Sequence, residues 1–338
     1  MKSHTVPRKL LDQFAYDDPV TRSKRLWQYQ KGRTPWWKAS PKTATRWDGH
    51  FADPMNAAME EELELRLKRE FEDPVNEFIE MIGYRTFFLT PTHIRPLTGY
   101  MRMLFTRSRA RQAASKGQAE TMVDALRSLR SNEQQISELI GKYTMEVLDR
   151  GLGTRMVTRE EVMAAIEKEI EKHSASDEPQ RRYIHALETM IKFPDENVKN
   201  GEWHIVRSDS DKPFVIGDAP VVTWVRTNNN LLYFGQGFGR PNVEAFLPVS
   251  PTACLHVLPR VVRTRLVVAP TSLEVNMAQA AFATQQCFSN VYSQETDQVL
   301  QRHFGRIRLG IDGFSVNHID YKKALFEILM GRRPQTVA

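Results

Sequence analysis

Apolar positions along this 338-residue chain change their period near residue 195. Between 54 and about 193 the spacing is helical. Met55, Met59, Leu63, Leu67 and Phe71 recur every four residues beside a glutamate-rich face, as in an amphipathic helix. Asp73-Pro74 predicts a fresh N-cap and first helical residue, opening a helix that runs through Ile82. Thr90-Pro91 repeats that start, and Ile94, Leu97, Met101, Leu104 and Phe105 make one apolar side of the helix it opens. Further helices are predicted over about 118–130, 132–150, 159–173 and 177–192. Ser131 caps the second of these, and Thr158 with Glu161 has capping-box spacing for the third. Arg150-Gly-Leu-Gly and Ser174-Ala-Ser-Asp are the breaks.

From 202 onward the pattern shortens to β-rich runs at 202–208, 213–217, 221–226, 231–235, 243–248, 253–258 and 264–269. Asn228–Asn230 and the glycine-rich Gly235–Gly239 punctuate them, and helices over about 272–287 and 320–331 close the chain. The early Leu26-Trp-Gln-Tyr-Gln30 alternates like a strand and is placed to join the later sheet. Segregated helices and strands predict an α+β fold. Its expected form is one domain, with an N-terminal and central helical bundle packed on a mostly antiparallel sheet from the C-terminal half. The sub-regions are 1–50, 54–193 and 202–338.

Composition adds less than distribution does. A charged share of 26% and a net charge of +6 are ordinary for a globular chain. Residues 1–50 hold eleven Lys or Arg against four acids, 51–84 hold ten acids against three bases, and 85–116 hold seven bases and no acid. Such blocks either attract phosphates and nucleic acid or pair with one another. Two cysteines, Cys254 and Cys287, lack CxxC spacing and predict a cytoplasmic setting. No apolar run reaches the roughly 18 residues of a membrane span.

The chemistry-bearing candidates are few. In Pro213-Phe-Val-Ile-Gly-Asp-Ala-Pro220, Asp218 stands at a rigid break between two strands. Gly217 there is free to take a positive φ, and Pro220 restricts Ala219. Asp218 either presents its carboxylate to a ligand or accepts backbone N–H groups within the turn. His4 is a candidate acid, base or ligand near the N-terminus. Arg95, Arg102 and Arg109 fall within about 40° of one another on a continuous helix, with Arg107 and Arg111 on another side. They suit phosphate oxygens, or they pair with the acidic helix of residues 60–80. No HExxH or Cys/His cluster supports a metal, so a divalent ion would need distant residues such as His4, Glu70 and Asp218. Trp27, Tyr29, Trp36, Trp37 and Trp47 interleave with Arg25, Lys31, Arg33, Lys38, Lys42 and Arg46. Stacking plus positive charge is how single-stranded nucleic acid is held without sequence preference.

Several strings together resemble a bacterial family known as a domain of unknown function, DUF4238. They are His4-Thr-Val-Pro7 with Leu11 to Phe14, Leu26-Trp-Gln-Tyr29, Leu67 to Glu70, Arg107-Ser108, Phe214–Pro220, Leu247-Pro-Val-Ser-Pro251, and Asn276 through Asn290-Val-Tyr292. The resemblance spans roughly residues 4–293 in order. It implies a single α+β unit in which the N-terminal motif and Asp218 converge, and it implies no reaction.

Two functions follow as expectations. One is a nucleic-acid- or nucleotide-directed hydrolase, with His4, Glu70 and Asp218 catalytic and Arg102, Arg107, Arg109 and Asn276 binding substrate, assisted by a divalent metal. The other is a non-catalytic module that binds nucleic acid or a protein partner.

Overall fold

A computed structural model describes residues 2–48, 58–149, 156–175, 178–192, 200–209, 211–226, 232–234, 243–258 and 269–305. The chain divides into two compact units, Met1–Ala114 with Tyr183–Gly310, and Ser115–Arg182 with Ile311–Ala338. The architecture is α+β, with every described strand pairing antiparallel.

Strands β1 (Lys2–His4), β2 (Tyr16–Asp18), β3 (Ser23–Gln30), β4 (Arg33–Ala39) and β5 (Arg46–Asp48) come from the N-terminal segment. The later strands are β6 (Glu202–Arg207), β7 (Ile216–Gly217), β8 (Val222–Arg226), β9 (Leu232–Phe234), β10 (Glu244–Ser250), β11 (Ala253–Leu258) and β12 (Gln286–Ser289). They form a pair β1-β5, a sheet β6-β11-β10-β8-β9, and a sheet β2-β3-β12-β7 in which β4 also pairs β3. The strand at Leu26–Gln30 therefore does join the late sheet, with Trp27 opposite Ser289 and Tyr29 opposite Cys287.

In the first unit a short helix α1 (Arg8–Gln13) precedes α2 (Ala58–Leu67), which runs through a π-helical turn at Lys68–Glu72 into α3 (Asp73–Asn76). After α4 (Ile79–Ile82) and α5 (Pro91–Arg107), helix α6 (Arg109–Arg130) leads into the second unit. There α7 (Glu133–Asp149) and α8 (Arg159–Ser174) pack a core around Leu126, Ile136, Tyr143, Val162 and Ile166. Helix α9 (Glu178–Lys192) leads back, and α10 (Ser272–Phe282) and α11 (Gln294–His303) belong to the first unit. That unit's main core joins Phe14, Leu67, Leu104, Tyr183, Trp224 and Phe246, and a smaller one gathers Tyr29, Trp36, Cys287 and Phe304.

Several local expectations change. Asp73 does not cap a new helix; its φ of −58° and ψ of −44° are helical, and the chain breaks instead at Phe78 with ψ −1°. Asn132, not Ser131, caps α7, its Oδ1 accepting from the Gln135 amide at 3.1 Å. Ser131 Oγ turns back to the Arg127 carbonyl. The Thr158–Glu161 capping box forms. The helix expected over 272–287 stops at Phe282, and Gln286–Ser289 become the strand that meets β3. Gly217 is absent from the positive-φ positions of the described residues. A Cβ there would stand 3.1 Å from the Gln279 carbonyl oxygen and 3.2 Å from Ala283 Cβ, so close approach explains the glycine. The run 264–269, the Gly235–Gly239 loop, the Arg150-Gly-Leu-Gly break and the helix 320–331 fall wholly or largely outside the described residues. Among the described residues no helix is long and apolar enough to cross a membrane.

Candidate functional site

The segment around Asp218 is held from one side by a helix face. Asn276 and Gln279, three apart on α10, use their primary amides as a substitute for a neighbouring strand. Asn276 Oδ1 accepts from the Val215 amide and its Nδ2 donates to the Pro213 carbonyl, both at 2.9 Å. Gln279 Oε1 accepts from the Gly217 amide and its Nε2 donates to the Pro220 carbonyl, both at 2.8 Å. Asp218 itself is buried. Its carboxylate accepts from the Thr284 amide at 2.7 Å, the Thr284 hydroxyl at 2.8 Å and the Gln285 amide at 2.9 Å. These donors lie across the sheet and not within its own turn. Capturing them ends α10 and starts β12, which is why the helix is shorter than its apolar pattern suggests. Burial pushes the Asp218 pKa up against the Thr284 and Gln285 bonds and the nearby Arg109.

Arg109 reaches the same corner. Its guanidinium donates to Gln285 Oε1, and burial lowers its pKa to about 10 despite the attraction of Asp218. It remains charged at neutral pH. The expected line of Arg95, Arg102 and Arg109 does not exist, because Ser108 is extended (ψ 148°) and puts Arg109 on the next helix. Arg102 is half-buried on α5.

Arg107 has a different role. It is 2% exposed, with Nη2 donating to both Glu64 oxygens at 3.0 Å and Nη1 to Glu72 Oε1 at 2.5 Å. Burial opposes its charge, but Glu64 and Glu72 hold its pKa raised. Eight residues on a regular helix leave Glu72 about 80° away from Glu64. A π-turn absorbs one extra residue, so the pair behaves as if seven apart, only about 20° out of line. The π-turn at Lys68–Glu72 thus brings both carboxylates onto one cation. Acidic and basic blocks pack together here, and the guanidinium is already engaged on both sides.

Glu70 lies on the outside of that same turn, exposed, with Arg66 at 3.6 Å and Arg69 at 3.7 Å. His4 pairs through its backbone with Arg46 in β1-β5, and its side chain is outside the described set. Among the described residues no group of three or more His, Cys, Asp or Glu side chains is placed to hold a metal ion. The geometry brings Asp218 to Arg109 and Asn276 to the strand before Asp218. It brings Glu72 rather than Glu70 to Arg107.

A second feature lies on one face of the β2-β3-β4 ladder. Tyr16 stands opposite Arg25, and Trp27 stands opposite Lys38, so each cross-strand pair joins an aromatic ring to a cation. The Lys38 ammonium is 5.7 Å from both the Tyr16 and the Trp27 ring centroids. Hydrogen bonding to Tyr16 raises its pKa, and Asp18, 3.4 Å away, adds to this. Half-exposed Tyr292 closes the face at 5.8 Å from Trp27 and 5.6 Å from Trp36. Trp36 is buried, its indole N–H donating to Asp297 at 2.8 Å. Trp27 and Lys38 were within reach of sequence reasoning through strand alternation. Tyr292, 265 residues from Trp27 in the numbering, stood in the sequence only as part of the Asn290-Val-Tyr292 string, with nothing to place it beside Trp27.

The chain belongs to the DUF4238 family of proteins of unknown function, whose model matches residues 2–297. No curated protein and no solved structure matches the sequence.

Proposed function

We propose that the chain is a non-catalytic nucleic-acid-binding module that takes a single strand on the Tyr16–Trp27–Lys38–Tyr292 face. The observation that carries this reading is the alternation of ring and cation across neighbouring strands. Partly buried Trp27 and half-exposed Tyr292 offer π-faces to bases, and Arg25 and Lys38 offer charge to the backbone phosphates between them. Both oxygens of the Asp218 carboxylate are occupied by donors of its own fold, which favours binding over metal-assisted hydrolysis. The buried, unbridged thiols of Cys254 and Cys287 support a cytoplasmic setting.

The test is fluorescence anisotropy with labelled single-stranded oligonucleotides over a range of salt. Tyr292→Ala and Trp27→Ala are each expected to weaken binding by about 1–3 kcal/mol. Lys38→Ala should flatten the log-log salt slope by about 0.7 for each phosphate it no longer neutralises. Unchanged affinity in both aromatic variants would sink the proposal. Strand cleavage by the wild type that disappears in Asp218→Ala would instead favour the hydrolase, with His4 and Glu70 as the partners to test next.

A further inference from the structure

The turn between β2 and β3 adds a chain of hydroxyls to the Trp27 face, and the direction of each proton along it is fixed. Asp18 is 2% exposed. Its Oδ1 accepts from the Val20 amide and the Lys38 ammonium, both at 3.4 Å, and its Oδ2 accepts from the Thr21 hydroxyl at 3.0 Å. Burial works against the charge, but the Thr21, Val20 and Lys38 bonds hold the Asp18 pKa below its ordinary value. Asp18 is therefore a carboxylate at neutral pH and accepts only. Thr21 has one hydroxyl proton, and Asp18 takes it. The 2.8 Å contact between Thr21 Oγ1 and Ser23 Oγ must then draw its proton from Ser23. Arg25 Nε donates to the same Thr21 oxygen at 3.5 Å, which fills its second lone pair. Exposed Ser23 is left with its proton given to Thr21, and it faces solvent as an acceptor.

Position decides what that acceptor meets. Ser23, Arg25 and Trp27 alternate onto one side of β3, with about 7 Å from each to the next. Ser23 stands opposite Asp18, and Arg25 opposite Tyr16. The rings lie at the Trp27 end and the phosphate-facing Arg25 comes next, so Ser23 lies beyond it on the backbone side of a bound strand. The sugar is what joins each phosphate to its base. Ribose carries a donor there, the 2′-hydroxyl, and deoxyribose does not. The turn is also held in shape: the Arg22 amide donates to the Asp18 carbonyl at 2.8 Å. Arg22 has a φ of 49° and is the one non-glycine residue with positive φ among the described residues. Such a conformation persists where its surroundings impose it, and it gathers at binding sites.

We propose that the Trp27 face selects RNA over DNA, with Ser23 Oγ accepting a hydrogen bond from a ribose 2′-hydroxyl while Thr21 and Asp18 position it. This preference presupposes that the face binds a single strand. The test is anisotropy with the full chain and one labelled sequence in four forms: RNA, DNA, 2′-O-methyl RNA and 2′-fluoro RNA. Loss of one hydrogen bond predicts about fivefold weaker binding of the last three. The 2′-fluoro form keeps the sugar pucker of RNA but has no proton to donate, so its weak binding assigns the preference to the hydrogen bond and not to sugar shape. Ser23→Ala should bring RNA down to the affinity of DNA. Thr21→Val leaves the Ser23 proton without its acceptor and should reduce the ratio of RNA to DNA affinity. Equal affinity of the wild type for RNA and DNA would overturn the preference while leaving single-strand binding in place. Failure to bind either would remove both. An RNA preference that survives Ser23→Ala would overturn the role of Ser23, as would a preference that follows the base and not the sugar.

Discussion

Asp218 serves three donors from Thr284 and Gln285 with one buried carboxylate. Removing it strands two backbone N–H groups without an acceptor, and an unsatisfied buried donor costs about 1–3 kcal/mol. Asp218→Ala should therefore lower the unfolding free energy by about 2–4 kcal/mol in urea titrations. The pH dependence has a definite sign. Burial raises the folded-state pKa of Asp218 above its ordinary value, so the folded state binds the proton more readily than the unfolded chain. The stability linked to that proton is complete below the ordinary carboxylate pKa and is lost as pH rises through the raised one. The melting temperature of the wild type relative to Asp218→Asn should fall as pH goes from acid to neutral, because asparagine does not titrate. A difference that grows with pH would show that the Thr284 and Gln285 bonds and Arg109 outweigh burial, and would overturn the raised pKa. The sequence showed Asp218 at a strand break, between a glycine and a proline. Its partners, 66 and 67 residues further on, were invisible because nothing local requires them.

At the scale of elements, the π-turn at Lys68–Glu72 decides which acids meet Arg107. A trace of it is present in the sequence. Apolar residues at strict four-residue spacing, Leu63, Leu67 and Phe71, advance about 40° at each step on a regular helix. A widened turn brings the last of them back, and the Phe71 ring then lies against Gly99 of α5, where a Cβ would come within 2.8 Å of it. The choice of Glu72 over Glu70 depended on that one-residue shift, which helical periodicity treats as noise. Arg107→Ala would leave Glu64 and Glu72 facing each other without the cation, and a buried pair broken in this way costs about 3–5 kcal/mol. Tyr100 makes the contrast. Its hydroxyl is buried near Glu72 and Arg107 with no hydrogen-bond partner among the described residues. Tyr100→Phe should leave stability unchanged or raise it by about 1 kcal/mol, since only an unsatisfied group is removed. Chemical denaturation of the two variants side by side checks both statements.

In the whole molecule, β3 lies between β4 on one edge and β12 on the other, so residues from the first and last parts of the described chain share one ladder. Amides of Trp27–Gln30 should therefore exchange with solvent only through global unfolding of their unit. Native-state hydrogen exchange in increasing denaturant would show their opening free energies merging with the global value, and early sub-global opening would show that the ladder is not closed. The α+β class, most helix starts and the joining of the Leu26–Gln30 strand to the late sheet could be read from the sequence. Period and capping residues act over a few positions and declare themselves locally. Where α10 ends, which acids pair with Arg107, and that Tyr292 completes the Trp27 face were decided only by tertiary structure. Each depends on side chains meeting across long stretches of chain, where burial makes one hydrogen-bond or charge partner far better than its sequence neighbours.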